Sequence, residues 1–350
     1  MTTLDSAGFV RDIRQQLAAR RRAVTLWLLL LLVLAFCAAL YLGDYYVPPA
    51  GVVQSLLSPL TGMADKGVDF IVLNVRLPRA TLAVLTGISF GLSGIIFQTL
   101  LRNPLASPDI IGIAHGASAS AVFCIIVLGA TGPWLSLGAL VGAVLTALAI
   151  YGLSWRGGVT PYRIVLIGIG VAAMMGAVMS YLFTRARIFE VQQALAWLVG
   201  SLNAAHRNDL PPLVIAMLVL LPATVLLVRA LDAMQLGDDT ATALGTRVEV
   251  VRLLLLVVAV AYAAFATAAV GPVTFVAFVA GPIARSLLAG SGKGFLQAGL
   301  VGALVMLGSD LVAQHALPSV LLPVGVVSGV FGAGFLLWLL VVSNREGRVN

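Results

Sequence analysis

Residues 76–112 read RLPRATLAVLTGISFGLSGIIFQTLLRNPLASPDIIG, and this stretch decides the fold. A span of the bilayer needs roughly 20 apolar residues in a helix, and 77–101 supplies them. The run opens on Arg76 and Arg79, carries Gly87, Gly91, Gly94 and Gln98, and closes on Arg102, Asn103 and Pro104. Charge at both mouths, a seam of small residues and a proline-containing exit point to a helix that lines a path. A lipid-facing anchor needs none of these. Gly87, Gly91, Gly94, Gln98, Asn103 and Pro104 are therefore the candidate packing and pathway residues.

The rest of the chain agrees with a bilayer as solvent. Its 350 residues are 60% hydrophobic and 10% charged, with a mean hydropathy of +1.06. A soluble domain cannot be this apolar. The net charge of +7 does not indicate nucleic acid, because the arginines cap apolar runs instead of forming one patch. Cys37 and Cys124 lie far apart inside apolar runs and read as small hydrophobes. His115, His206 and His315 have no helical spacing to one another, so no metal site or cofactor is expected. No cleavable signal is expected either, since the first apolar run follows a long basic stretch and is long enough to span.

Apolar runs fall near 23–42, 77–101, 110–129, 133–153, 163–184, 210–230, 252–270, 273–287, 295–315 and 321–342. This predicts an all-α polytopic membrane protein with about ten transmembrane helices. The 273–287 run is too short to cross alone. Gly271-Pro272 and Gly281-Pro282 interrupt it, so it is expected to be a broken element buried in protein. Ten spans place both termini on one side. With that side cytoplasmic, fifteen of the 21 Lys and Arg lie inside and six outside (Lys66, Arg76, Arg79, Arg185, Arg187, Arg207), as the positive-inside rule requires.

One membrane domain over 1–350 is expected, with a basic cytoplasmic segment 1–22 and extracytoplasmic segments 43–75 and 185–209. The first of these, with Pro48, Pro49 and Pro59, reads as a long loop. The second spaces Val191, Leu195, Leu198 and Leu202 as a short amphipathic surface helix. The cytoplasmic loop 231–251 puts Asp238 and Asp239 before an Ala/Thr-rich helical stretch, as acids at a helix start should be, and Gly245 at its stop.

Each motif has a plain reading beside a functional one. Arg76 and Arg79 either snorkel to headgroups or receive carboxylates of an acidic surface. Gly138-x-x-x-Gly142 and Gly325-x-x-x-Gly329 repeat the small-residue seam, which speaks of packing and names no function. Gly237 to Gly245 is either a solvated connector or a short helix that fits a groove on a partner and acts as a lever. RSLLAGSGKG at 285–294 lacks the leading glycine of a phosphate loop, and Gly294 stands where Ser or Thr is needed. Any ATP is then handled by another polypeptide. Asp310 is the one acid deep in a late span, a functional suspect or a group bonded to nearby backbone. A proton relay would need several such residues.

Further segments carry a resemblance. RLPR, FQ and RNPLASPDIIG within 76–112, LGDDTATALG at 236–245, GPVTFVAFVAGP at 271–282, LPVGVVSG at 322–329 and WLVGSL at 197–202 follow one another in order. This pattern resembles the permeases of bacterial ABC importers for ferric siderophores and vitamin B12, the FecCD/BtuC type, with wording most similar to catecholate-type ferric siderophore permeases. The resemblance implies a ten-helix type II ABC importer permease in the cytoplasmic (inner) membrane of a bacterium. The implied partners are a second permease (a heterodimer, or a homodimer), a cytoplasmic ABC ATPase dimer, an extracytoplasmic substrate-binding protein and the lipid bilayer, with no nucleic acid.

It also implies that the chain is no enzyme and that ATP hydrolysis belongs to the partner. Arg76 and Arg79 would receive the binding protein, and Gly237, Asp238, Asp239, Ala243, Leu244 and Gly245 would couple to the ATPase. The chain departs from the pattern at Gln314, where many relatives have Arg, and at Leu321, where the usual residue is an acid. The implied function is passage of an iron–siderophore chelate. Vitamin B12 or haem are the alternative cargoes, and an ion-coupled secondary transporter is the competing class. The latter requires paired buried ionisable groups, for which Asp310 is the visible candidate.

Overall fold

The computed structural model describes residues 6–346 apart from 44, 62–64, 157, 204 and 318–319. The first five and last four residues of the expected domain lie outside this set. Among the described residues the chain is helical and has no strand. In order the helices are α1 (Ser6–Tyr41), α2 (Pro49–Thr61), α3 (Lys66–Asp69), α4 (Leu77–Leu100), α5 (Ile113–Ile126), α6 (Pro133–Ser154) and α7 (Pro161–Arg185). They continue with α8 (Ile188–Leu198), α9 (Leu210–Met234), α10 (Asp238–Ala243), α11 (Val248–Val270), α12 (Val276–Leu288), α13 (Phe295–His315) and α14 (Val324–Glu346). Seven described helices are long and apolar enough to span a membrane, and α5, α12 and α14 contribute shorter apolar stretches. Each of the ten expected runs coincides with one of these helices.

Two expectations need correction. Residues 43–75 are not a loop. Pro49 opens α2, where a first-turn proline loses no hydrogen bond, and a π-helical turn over Phe70–Arg76 joins α3 directly to α4. The second concerns 273–287, which is continuous through Gly281-Pro282 as α12; the irregular part precedes it, ending in Phe275 at φ 69°. Pro282 carries no N–H for the Phe278 carbonyl. That carbonyl instead accepts from Gln98 Nε2 at 3.0 Å, so a side chain of α4 completes α12's ladder where lipid could not. The amphipathic helix at 188–198 forms, but its fully buried residue is Ala194, while Leu195 faces outward and Leu202 is buried beyond the helix end.

α4 is the enclosed centre of the bundle. It packs most extensively on α13, and also on α11, α12 and α9. Glycines allow this approach. A methyl on Gly87 would strike the backbone of Gly302 and Ala303, on Gly91 the Ala298 carbonyl, and on Gly94 the Ala277 carbonyl. Gly302 on α13 is equally blocked by Gly87. α4 and α13 thus run antiparallel in backbone contact. The polar residues of α4 find partners across the same interfaces, as in Ser93 Oγ donating to the Ala259 carbonyl at 2.7 Å.

Gly91→Val should push α4 from α13 and cost about 1–3 kcal/mol, the usual penalty of overpacking. The expected readout is a lowered Tm of the detergent-solubilised protein, whereas Gly170→Ala, with open space around it, should leave Tm within about a degree of the parent, as substitutions away from packed features do.

Candidate functional site

At one end of α4 the two arginines come together with an acid. Arg76 is 8% exposed, and its guanidinium donates to the carbonyls of Leu40 at 2.9 Å, Tyr41 at 3.0 Å and Tyr45 at 2.5 Å. These are carbonyls at and just beyond the C-terminus of α1, which the helix itself leaves without donors. Arg76 is thereby a cap for α1 and no free charge. Arg79 forks onto Asp310, Nε at 3.0 Å from Oδ2 and Nη2 at 2.8 Å from Oδ1, with side chains 13% and 1% exposed. Its Nη2 also donates to Asn203 Oδ1 at 2.8 Å, and Gln314 Nε2 donates to Asp310 Oδ2 at 2.7 Å. Asp310 is therefore held by side chains, not by neighbouring backbone. A cavity of about 210 Å³ at this mouth is lined by Arg76, Arg79, Asp310, Gln314 and Leu321 among others.

At the other end α4 stops in a Schellman turn. Asn103 N–H bonds the Gln98 carbonyl at 3.1 Å and Arg102 N–H the Thr99 carbonyl at 3.3 Å. The position that calls for glycine in this motif is Arg102, at φ 50°. Asn103 then forms an Asx turn, its Oδ1 accepting from Leu105 N–H at 2.9 Å. Asn103 and Pro104 therefore shape the exit of α4. Gln98 spans α4 and α12 against Gly281, which has no side chain to exclude it, and its Oε1 accepts from Arg285 at 2.6 Å.

Beside this end stands α10. Gly237 at φ 110° precedes it and Asp238 and Asp239 fill its first turn. It ends in a second Schellman turn, with Thr246 N–H on the Ala241 carbonyl and Gly245 N–H on the Thr242 carbonyl, both at 2.9 Å. Gly245 has φ 84° and open space beside it, so conformation and not crowding calls for glycine. Leu236 and Leu244 project outward on either side of the helix, while Ala241 is buried. Asp238 is bonded by Arg252 at 2.6 Å and lies 3.7 Å from Arg102. Arg252, buried, also holds Glu249 at 2.5 Å and the Val159 carbonyl at 3.2 Å. The Glu249–Arg252 spacing of three was readable as a helical pair. Nothing in the sequence announced Asn203 as a partner of Arg79.

Among the described residues no group of His, Cys, Asp and Glu could hold a metal ion.

The family model described as the FecCD transport family matches residues 30–342. The ferric enterobactin transport system permease protein FepG of Escherichia coli (strain K12) is 40% identical over 296 residues, covering 84% of this chain and 89% of that one. The achromobactin transport system permease protein CbrC of Dickeya dadantii (strain 3937) is 39% identical over 318 residues, 90% of each chain. A solved chain described as an inward-facing conformation of a metal-chelate type ABC transporter superposes with a TM-score of 0.79 at 24% identity, covering 92% of this chain and 99% of that one. That likeness extends the fold to almost the whole molecule.

Removing one partner of a buried ion pair leaves an uncompensated charge, typically worth 3–5 kcal/mol. Arg79→Ala is expected to destabilise by about that amount, and Arg79→Met with Asp310→Leu to recover most of it. Thermal unfolding of the single and double variants checks the coupling.

Proposed function

The chain belongs to the FecCD transport family, and on that premise we propose that it is the transmembrane subunit of an ATP-driven importer of ferric siderophores in the bacterial cytoplasmic membrane. The observation that carries this reading is the agreement of two unrelated facts. Relatives 33–40% identical over most of the chain serve achromobactin, ferric enterobactin and Fe(3+)-citrate transport, and the segment with the family wording, 76–112, supplies the enclosed central helix and the turns at its ends.

Work would be supplied from outside the chain. The end of the bundle bearing Arg102, Arg252, Arg285 and Lys293 would face the cytosol, in keeping with the excess of positive charge expected there. There α10, closed by a Schellman turn and flanked by exposed Leu236 and Leu244, has the form of a rigid element that enters a groove of a partner ATPase. Its motion would reach α11 through the Asp238–Arg252 pair and α4 through Arg102. At the opposite end an acidic binding protein would approach the cavity beside Arg79. Arg79 would offer the guanidinium edge now shared with exposed Asn203, while Arg76 positions the mouth by capping α1. A second permease would complete the path.

An ion-coupled mechanism finds less support. Its candidate proton carrier, Asp310, is already engaged within the chain, forked to Arg79 and bonded by Gln314.

Proteoliposomes test the reading. Uptake of a ferric catecholate should require the ATPase, the binding protein and ATP; uptake by this chain alone under an ion gradient would overturn it. In a Cys37→Ala, Cys124→Ala background, Arg187→Cys should react with a membrane-impermeant maleimide added to whole spheroplasts, and Gly290→Cys should react only after lysis. Gly245→Val forces a branched side chain into the left-handed region, at a cost of at least about 1 kcal/mol. Uptake should fall several-fold while ATP hydrolysis by the assembled complex continues.

A further inference from the structure

Among the described residues, the end of α4 near α10 sets four cations, Arg102, Arg252, Arg285 and Lys293, against three paired carboxylates, Asp232, Asp238 and Glu249. Arg102 sits there in a left-handed conformation that costs roughly 1–2 kcal/mol for a residue with a Cβ, fixed by a 2.6 Å bond to the Met234 carbonyl. Its only carboxylate among the described residues, Asp238 at 3.7 Å, is already bonded more closely by Arg252. Asp238 thus serves two guanidiniums, although Arg252 has Glu249 as well, and Arg252 Nε is buried without a hydrogen-bond partner in the described structure. Arg285, in the last turn of α12, meets the Gln98 amide, and no described carboxylate lies within ion-pair distance of it. Lys293, on the following turn, pairs with Asp232.

Arg102, Arg285 and Lys293 converge on one cavity of about 420 Å³, whose other walls include Gln98, Thr99 and Gln235 and no carboxylate. A smaller cavity of about 130 Å³ adjoins it through Thr99, Arg102 and Gln235 and contains Asp238 and Arg252. The larger cavity lies at the tip of the enclosed helix, between the ends of α9 and α12, at the end of the bundle that the proposed orientation turns to the cytosol. Guanidinium forks pair with carboxylates, the anions that a protein surface supplies without modification, through paired charge-assisted bonds.

We infer that this cavity is a socket for an acidic side chain of the cytoplasmic partner, a second anchor beside α10. The inference rests on the proposed pairing of this chain with an ATPase. Continuity favours that occupant: Asp238 of α10 is the carboxylate nearest Arg102, so a partner seated on α10 stands next to the socket. Its acid would complete the charge balance at Arg102 and Arg285 and tie the central helix and α12, joined by Gln98, to the same moving body that α10 follows. Partner motion would then reach the bundle's core directly as well as through α11.

The assembled complex in detergent provides the test. Zero-length carbodiimide coupling, which condenses an amine with a carboxylate while the reagent takes up the elements of water and leaves as its urea, should join Lys293 to an Asp or Glu of the ATPase in addition to any link with Asp232. Arg285→Gln should weaken retention of the ATPase on purification about tenfold and flatten its salt dependence, while Arg285→Lys restores both. A Lys293 link to Asp232 alone, with retention in Arg285→Gln equal to the parent at low and high salt, overturns the socket. Unchanged retention with selective loss of uptake of anionic over neutral ferric chelates also overturns it, and assigns the cavity to cargo instead. Failure of the unaltered chain to retain any ATPase would be seen before a variant is made, and would remove the proposed function together with the socket.

Discussion

Lipid gives no hydrophobic reward for pressing two apolar helices together, so association depends on how closely their surfaces fit. In this chain the fit is set where Gly87, Gly91 and Gly94 bring α4 against the backbones of α13 and α12. Everything else at the centre follows from that approach. With no room for water, each polar group on α4 must find a partner on a neighbour. Ser93 takes the Ala259 carbonyl, and Gln98 takes the carbonyl that Pro282 leaves open. A proline that would weaken an isolated helix is thereby tolerated, and the helix that tolerates it is tied to the core.

The two ends of α4 use arginine in opposite ways. At the first end the guanidiniums are satisfied internally, Arg76 by carbonyls around the end of α1 and Arg79 by a buried carboxylate and an exposed amide. Such a cluster holds helices in register, and what it offers a visitor is the edge of Arg79 at a small cavity. At the second end, cations outnumber the carboxylates they share, and one of them is held in a strained backbone. Internal neutralisation makes a frame; unbalanced charge in an open cavity makes a place for something else to bind.

Some of this organisation was written plainly in the chain. Length and hydropathy locate the ten apolar helices, because a bilayer demands a fixed length of apolar helix. Glycine spacing marks α4 as a close-packing helix. Acids at the start and a glycine at the stop delimit α10, since each answers a local backbone requirement. Two features misled. Prolines in 43–75 suggested a loop where Pro49 starts a helix, and Gly281-Pro282 suggested a break where a distant side chain repairs the ladder.

What the sequence determined by itself is thus most of what has a local cause: the spans, the start and stop of α10, and the residues that permit close approach. Tertiary structure alone decided the partners of the charges. Arg79 and Asp310 are separated by 231 positions, Gln98 and Arg285 by 187, and no periodicity links them. Arginine at a helix mouth reads the same in one dimension whether it snorkels, caps, pairs or waits for a partner. The difference is made by which carbonyls and carboxylates the fold carries into reach, and in a medium of low dielectric that choice fixes which charges are spent inside the chain and which remain available.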